Sequence, residues 1–267
     1  MLTVARRLYR HRALLGILTG RELTARYRGS VLGWAWSLVN PLVLLVVFTF
    51  VFSVIFDPRD PAVKPYSLFL LTGLFPWIWL QGSLLEGSAS LLANGGLIRK
   101  ATFPSELLAI VPVLANLVHF LLTLPVIAIA FVAARALGSE VSGPSAFLLP
   151  AIIVLELPLI AGLALGLAAL NVHFKDVKDL LANLLTILFY MTPILYTLST
   201  LEHHRVVWAV VAANPLTPFV LAYQETLFRG HVPGVGIWLA MIGVSAAGWI
   251  LGAGLFERLR DTIVEAV

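Results

Sequence analysis

No cysteine occurs in the chain, which excludes a disulfide framework, a thiol nucleophile and a Cys-ligated metal. Charge is scarce too: 12% of the residues are charged against 60% hydrophobic, too little polar surface to cover a soluble globule. Lysine is rarer still. It stands only at Lys64, Lys100, Lys175 and Lys178, never after a glycine, so the Gly-Lys-Ser/Thr ending of a phosphate-binding loop is missing. The chain is therefore no P-loop ATPase, and uphill transport by it would need a partner ATPase or an ion gradient. No Gly-x-Ser-x-Gly elbow occurs. His203 and His204 adjoin Glu202 and Arg205, but neighbouring loop histidines seldom hold a metal without further ligands. The net charge of +4 gathers at segment ends rather than in one patch, which argues for a membrane and against nucleic acid.

Long apolar runs are what the sequence has instead. Roughly 20 apolar residues span the hydrocarbon core, and lipid admits only helices and closed barrels. The runs are continuous rather than alternating, so a barrel is excluded. The sequence predicts an all-α integral membrane protein with six transmembrane helices, at 31–56, 66–92, 107–137, 147–172, 180–198 and 236–256. All of it reads as one membrane domain, 1–267. Within it, 1–30 is an interface helix, 31–198 holds spans one to five, 199–235 is an outer re-entrant gate, and 257–267 is a tail. The apolar stretch Ala13 to Leu18 is too short for a cleaved signal peptide and is followed by Arg21, Arg26 and Arg28.

Orientation follows from the cations. Of the 18 lysines and arginines, thirteen lie in the arm up to Arg28, the Arg99-Lys100 loop, the Lys175–Lys178 turn and the tail. The other five are Arg59, Lys64, Arg135, Arg205 and Arg229. The positive-inside bias places both termini in the cytoplasm. In the arm, Leu15, Leu18, Leu23 and Tyr27 share a helix face while Arg21, Arg26 and Arg28 point away, as in a basic amphipathic helix in the headgroup plane, with a plain topology anchor as the alternative. The loop Leu97-Ile98-Arg99-Lys100 with Phe103-Pro104 reads equally as a docking segment for a cytoplasmic partner and as an ordinary positive loop. Lys175, Asp176, Lys178 and Asp179 form a solvated turn. On the outer side, short apolar pieces at 206–213 and 219–228 flank Asn214-Pro215-Leu216-Thr217-Pro218. Two half-helices broken by prolines predict a re-entrant hairpin, with an amphipathic pair on the outer leaflet as the alternative.

Glu86 and Glu156 are intramembrane acids without a basic partner nearby in sequence, which favours interhelical hydrogen bonding or pore lining over ion coupling. His119, mid-span, is read as hydrogen-bonded to a neighbouring helix. Gly162-x-x-x-Gly166 and Gly248-x-x-x-Gly252 permit close helix packing and indicate no more than that. Trp34, Trp36, Trp77 and Trp79 fit an interfacial belt, whereas Tyr190 and Tyr196, which flank Pro193, are the aromatics assigned to a pathway.

Taken in order, four motifs resemble one family. Arg21-Glu22-Leu23-Thr24-Ala25-Arg26-Tyr27-Arg28-Gly29-Ser30-Val31-Leu32-Gly33, with Asn40-Pro41 after it, is similar to an interface helix entering span one. Leu97-Ile98-Arg99-Lys100 with Phe103-Pro104 is similar to a coupling segment. Asn171-Val172-His173-Phe174-Lys175-Asp176-Val177-Lys178-Asp179 followed by Thr192-Pro193-Ile194-Leu195-Tyr196 is the most specific match, with Lys175 where arginine is expected. Asn214-Pro215-Leu216-Thr217-Pro218 is similar to an outer gate. Together they resemble the membrane subunits of type-two ABC exporters, closest to the O-antigen and teichoic-acid export permeases, over nearly the whole chain.

The resemblance implies a permease homodimer with two nucleotide-binding ATPase subunits, which bind ATP and Mg, while this chain carries no cofactor. It implies a multi-pass protein of the bacterial inner membrane that exports a lipid-linked polysaccharide, on an undecaprenyl carrier. It assigns ATPase contact to Leu97, Ile98, Arg99, Lys100, Phe103, Arg21, Glu22 and Arg26, and the substrate pathway to Trp34, Trp36, Phe189, Tyr190, Tyr196 and Glu86. The outer gate falls to Asn214, Pro215, Pro218 and Tyr223. Capsule polysaccharide, teichoic acid, or a drug or small lipid remain alternative cargoes. A membrane-embedded glycan enzyme, built on Glu202, His203, His204 and Arg205, is the remote alternative.

Overall fold

The computed structural model describes residues 2–51, 63–98, 103–139 and 144–266. Two helices open the chain, α1 (Leu2–Arg10) and α2 (Arg12–Tyr27), where the sequence predicts a single interface helix. Just past α2, Gly29 takes φ +80, a left-handed conformation open to glycine, and the chain turns there towards the first span. A 3-10 turn, Gly33–Ala35, leads into α3 (Trp36–Phe50). Then come α4 (Tyr66–Ala93), the single turn α5 (Gly95–Ile98) and α6 (Glu106–Ala136). They are followed by α7 (Leu149–His173), α8 (Val177–Met191), α9 (Arg205–Ala213), α10 (Thr217–Tyr223) and α11 (Val235–Ala266). No strand occurs among the described residues.

Among the described residues, five helices are long and apolar enough to cross a membrane. They match the expected spans one, two, three, four and six, although residues 52–56 of span one lie outside the described residues. Prolines 41, 76, 112, 125 and 158 sit inside these helices, as packed neighbours in a bundle allow.

Three boundaries differ from the sequence reading. Span six continues as helix to Ala266 rather than stopping at 256, because apolarity marks the membrane's thickness and not the end of the helix. Glu257, Arg258, Arg260 and Asp261 simply extend it into a polar medium. Span five, expected over 180–198, is helical only to Met191. At 1.5 Å per residue its 15 residues reach about 22 Å, short of the roughly 30 Å hydrocarbon core. Pro193 ends it, with Thr192 extended, since the residue before a proline is pushed out of the helical region. The two half-helices are present as α9 and α10, the second continuing through Gln224–Arg229. They meet at 87°, a corner rather than a tight hairpin.

The core is built around α4, whose span is 78% buried, while that of α3 is 11% buried. Trp77 and Trp79 therefore do not belong to a belt. Both are buried, and Trp79 stacks on Phe120 at 5.4 Å and donates to the Val113 carbonyl at 3.4 Å. Side chains facing a neighbouring helix cannot be told by composition from those facing lipid. The two glycine motifs face each other across α7 and α11. A Cβ on Gly252 would lie 1.8 Å from the Gly162 carbonyl oxygen, and one on Gly162 would lie 2.4 Å from that of Gly248. Only glycine permits so close an approach of two backbones.

Both termini lie at one end of the bundle, here the proximal end. Val4, Leu91, Ile98, Leu108, Val172, Phe256 and Ile263 share a buried cluster there. An ion cluster braces it: Arg7 of α1 hydrogen-bonds Glu257 of α11, and its Nε lies 2.9 Å from Glu106 of α6. The Nε–H does not point at that carboxylate, so the second contact is electrostatic only.

Candidate functional site

The junction where α2 meets the bundle holds the first constellation. Leu23 is buried and anchors the apolar face of α2. Arg26, one helical turn on, does not point away from the bundle as the amphipathic reading has it. Its long side chain turns inward, donating to Asn116 Oδ1 at 3.0 Å and to Glu86, with Glu22 of its own helix at 3.6 Å. Asn116 in turn donates to Glu86 Oε2 at 2.8 Å. One arginine thus ties α2 to α4 and α6. Glu86 consequently has a basic partner, contrary to the view from its sequence neighbourhood, because that partner arrives from 60 residues away. Beside it, the Tyr27 hydroxyl lies 2.6 Å from Ser37 Oγ and 3.1 Å from His119 Nδ1, so His119 is bonded across helices as expected.

A cavity of about 570 Å³ opens at this junction. Arg21, Glu22, Arg26 and Glu86 line it together with Leu97 of α5 and Lys178 at the start of α8. The structure therefore brings together Arg21, Glu22, Arg26, Glu86 and Leu97, which the sequence distributes between a coupling group and a pathway group. Ile98 is buried in the proximal cluster with Phe103 packed against it. Arg99 and Lys100 lie outside the described residues. Asn116 and Ser37 were not singled out by sequence, and Tyr27 was read only as part of the apolar face of α2. A lone amide in an apolar run was the available signal for Asn116.

The second constellation closes the distal end. Asn214 is buried and donates to Thr192 Oγ1 at 2.9 Å, while its Oδ1 accepts the Leu216 N–H at 3.0 Å. Its side chain thereby shapes the α9–α10 corner in the manner of an Asx turn and grips the end of α8. Gln224 donates to the Pro193 carbonyl at 2.8 Å, and the Tyr66 hydroxyl to that of Leu195 at 2.5 Å. Past the helix end, the Pro193 and Leu195 carbonyls are thus taken up by side chains. Tyr223, fully buried, donates to Glu156 Oε2 at 2.7 Å, so Glu156 makes an interhelical hydrogen bond. Of the expected gate residues, Asn214 and Tyr223 are buried and bonded, Pro218 is half-buried and Pro215 is exposed.

The aromatics divide. Phe189 packs edge-on against Tyr190 at 5.2 Å and beside Trp77 at 5.7 Å. Tyr196 is half-buried, its hydroxyl on the Tyr190 carbonyl at 2.9 Å. Tyr190 itself is 63% exposed, and Trp34 and Trp36 are exposed beside α2. Trp34 lies 5.3 Å from Tyr27.

Residues 13–228 match the family described as ABC-2 type transporter. The chain is 32% identical over 267 residues to the O-antigen export system permease protein RfbA of Myxococcus xanthus, covering 100% of both. It is 31% identical over 255 residues to the permease of the same name from Klebsiella pneumoniae, covering 94% of each. The polysialic acid transport protein KpsM of Escherichia coli is 23% identical over 249 residues, 91% of this chain and 92% of that one.

Proposed function

We propose, from the premise that the chain belongs to the ABC-2 type transporter family, that it is the permease subunit of an exporter moving O-antigen-like polysaccharide out of the cytoplasm. The observation that carries the reading is similarity along the full chain to permeases of O-antigen export. The absence of a Gly-Lys phosphate loop from the sequence accords with ATP hydrolysis on a partner subunit. In this reading the chain works as a homodimer in the bacterial inner membrane, with two ATPase subunits at the proximal end and both termini in the cytoplasm. The cargo hangs on an undecaprenyl carrier.

Arg21, Glu22, Arg26, Leu97, Ile98, Arg99, Lys100 and Phe103 then receive the ATPase stroke at the proximal end. The Arg26 contacts to Glu86 and Asn116 support transmission, because displacement of α2 pulls directly on α4 and α6. Trp34, Trp36, Phe189, Tyr190, Tyr196 and Glu86 belong to the passage. Asn214, Pro215, Pro218 and Tyr223 belong to the outer gate, where the α9–α10 corner grips the end of α8 and moves with it.

Deleting the subunit tests the reading. Surface polysaccharide disappears, lipid-linked polymer accumulates inside, and the purified permease carries an ATPase and runs as a dimer. Intact surface polysaccharide with no internal build-up rules the function out. Accumulation of a drug or small lipid in its place would reassign the cargo.

A further inference from the structure

The arm formed by α1 and α2 leaves a space between itself and the bundle. Leu8 and Leu15 wall one side of an apolar groove of about 430 Å³. Ile110 and Leu114 of α6, Leu157 and Ala161 of α7, and Trp249 of α11 wall the rest. Trp249 is half-buried, and its indole N–H has no hydrogen-bond partner among the described residues.

Helical hydrogen bonding continues from α1 into α2, with the His11 N–H on the Arg7 carbonyl at 3.0 Å and the Leu15 N–H on that of His11 at 2.9 Å. Register therefore carries across, and Arg12 stands one turn from both Leu8 and Leu15. It shares their face and is nevertheless exposed, which sets it at the rim of the groove. Its guanidinium lies 4.7 Å from the centroid of the exposed Tyr9 ring and donates to the Tyr9 carbonyl at 3.3 Å. The other donors of that fork have no partner among the described residues.

Charge and shape select the occupant. No Asp or Glu precedes Glu22, and of the arginines before it only Arg7 has a carboxylate partner among the described residues. Three of the walls are helices long and apolar enough to cross a membrane, so hydrocarbon has access to the groove. An arginine at the rim of such a groove stands where lipid headgroups lie. A partner helix would need an apolar stripe over several turns, whereas the groove runs about one turn along α6 and along α7.

We propose that the groove binds an anionic phospholipid of the leaflet at the proximal end. One acyl chain lies between the arm and the bundle, against Trp249, and the phosphate sits on Arg12, whose planar fork suits it. Arg6 and Arg10, each two residues from Leu8, point elsewhere and add only to the general positive potential. The lipid thereby fastens the arm to α6, α7 and α11. This site goes beyond the export reading and is independent of the cargo.

Brominated acyl chains quench the tryptophans they touch, which gives the test. The complete permease is reconstituted in phosphatidylcholine containing rising fractions of brominated phosphatidylglycerol or, in parallel, of brominated phosphatidylcholine. The fluorescence that Trp249→Phe removes is the signal followed. It is half-quenched at about fivefold less brominated phosphatidylglycerol than phosphatidylcholine, the preference one arginine gives an anionic headgroup. Arg12→Gln abolishes that preference, Arg10→Gln keeps most of it, and Ala161→Leu, which fills the groove, protects Trp249 from both lipids. Native mass spectrometry of the purified permease needs no tryptophan variant: phosphatidylglycerol is retained by the unaltered chain and lost from Arg12→Gln. Melting in detergent confirms that each variant is folded.

Equal quenching by the two lipids overturns the site, and so does a preference that survives Arg12→Gln. Equal loss in Arg10→Gln and Arg12→Gln would mean diffuse attraction to the arm and overturns it as well. If neither lipid quenches Trp249 in the unaltered chain, a second copy or another protein fills the groove instead. None of these outcomes touches the cargo, which deletion of the subunit tests separately.

Discussion

Arg26 joins two groups of residues that the sequence keeps apart, and the reason is reach. Leu23 seats the helix, and an arginine three positions later stands at the edge of that apolar face, where its long stem runs along the bundle and delivers the guanidinium to Glu86 and Asn116. Arg26 and Glu86 are both partly exposed, so the pair stabilises the fold modestly, on the order of 1 kcal/mol. In the proposed function its larger role is to make α2 and α4 move together. Arg26→Glu and Glu86→Arg should each cut export while leaving the permease folded, and the double exchange should recover much of it. Polysaccharide output and ATPase rate, measured together on the four proteins, decide this: a purely structural pair would lower both in proportion, whereas a coupling pair lowers output per ATP. Glu86 is legible in the sequence as a lone acid in an apolar run. Its partner is not, because nothing local announces a contact between residues 60 positions apart.

At the scale of elements, α7 and α11 show how a weak sequence signal becomes a strong constraint. Two small-xxx-small pairs in glycine-rich spans are common by chance. Here they lie opposite one another, with no room for a Cβ at Gly162 or Gly252. Gly252→Ala should therefore force the helices apart, at about 1–3 kcal/mol or more. Gly243→Ala, on the same helix with nothing within 4 Å of the added atom, should leave the melting temperature in detergent unchanged. Equal melting of the two variants would mean that the contact contributes nothing. The end of α8 carries the opposite lesson. Apolarity runs on past Pro193, so span five reads as longer than it is. The helix stops where the residue before proline leaves the helical region, and the carbonyls of Met191, Pro193 and Leu195 find side-chain donors in Asn214, Gln224 and Tyr66.

At the scale of the molecule, the first and last helices are held together at the proximal end. Arg7 stands between Glu106, whose side chain is fully buried, and Glu257 on α11. Removing one partner of a buried pair leaves an uncompensated charge, at about 3–5 kcal/mol. Arg7→Met should accordingly destabilise the whole bundle, and Arg7→Met combined with Glu106→Gln should regain most of that loss. Thermal unfolding of the purified permease reads both, and equal melting of the single and double variants would show that Glu106 does not need Arg7.

The sequence by itself determined the solvent this protein lives in and the helices that cross it. Apolar length is a local property set against a fixed membrane thickness, so α4, α6 and α7 fall within a few residues of their expected ends. It also determined the break at Asn214-Pro215, because proline restricts the backbone wherever it stands. Only the tertiary structure decided which apolar side chains face a neighbouring helix. It buried Trp77 and Trp79, turned Arg26 inward, gave Glu156 to Tyr223, and left Tyr190 uncovered. Composition cannot separate helix from lipid as a neighbour, since both are apolar. Polar partners distant in sequence meet only once the helices have packed.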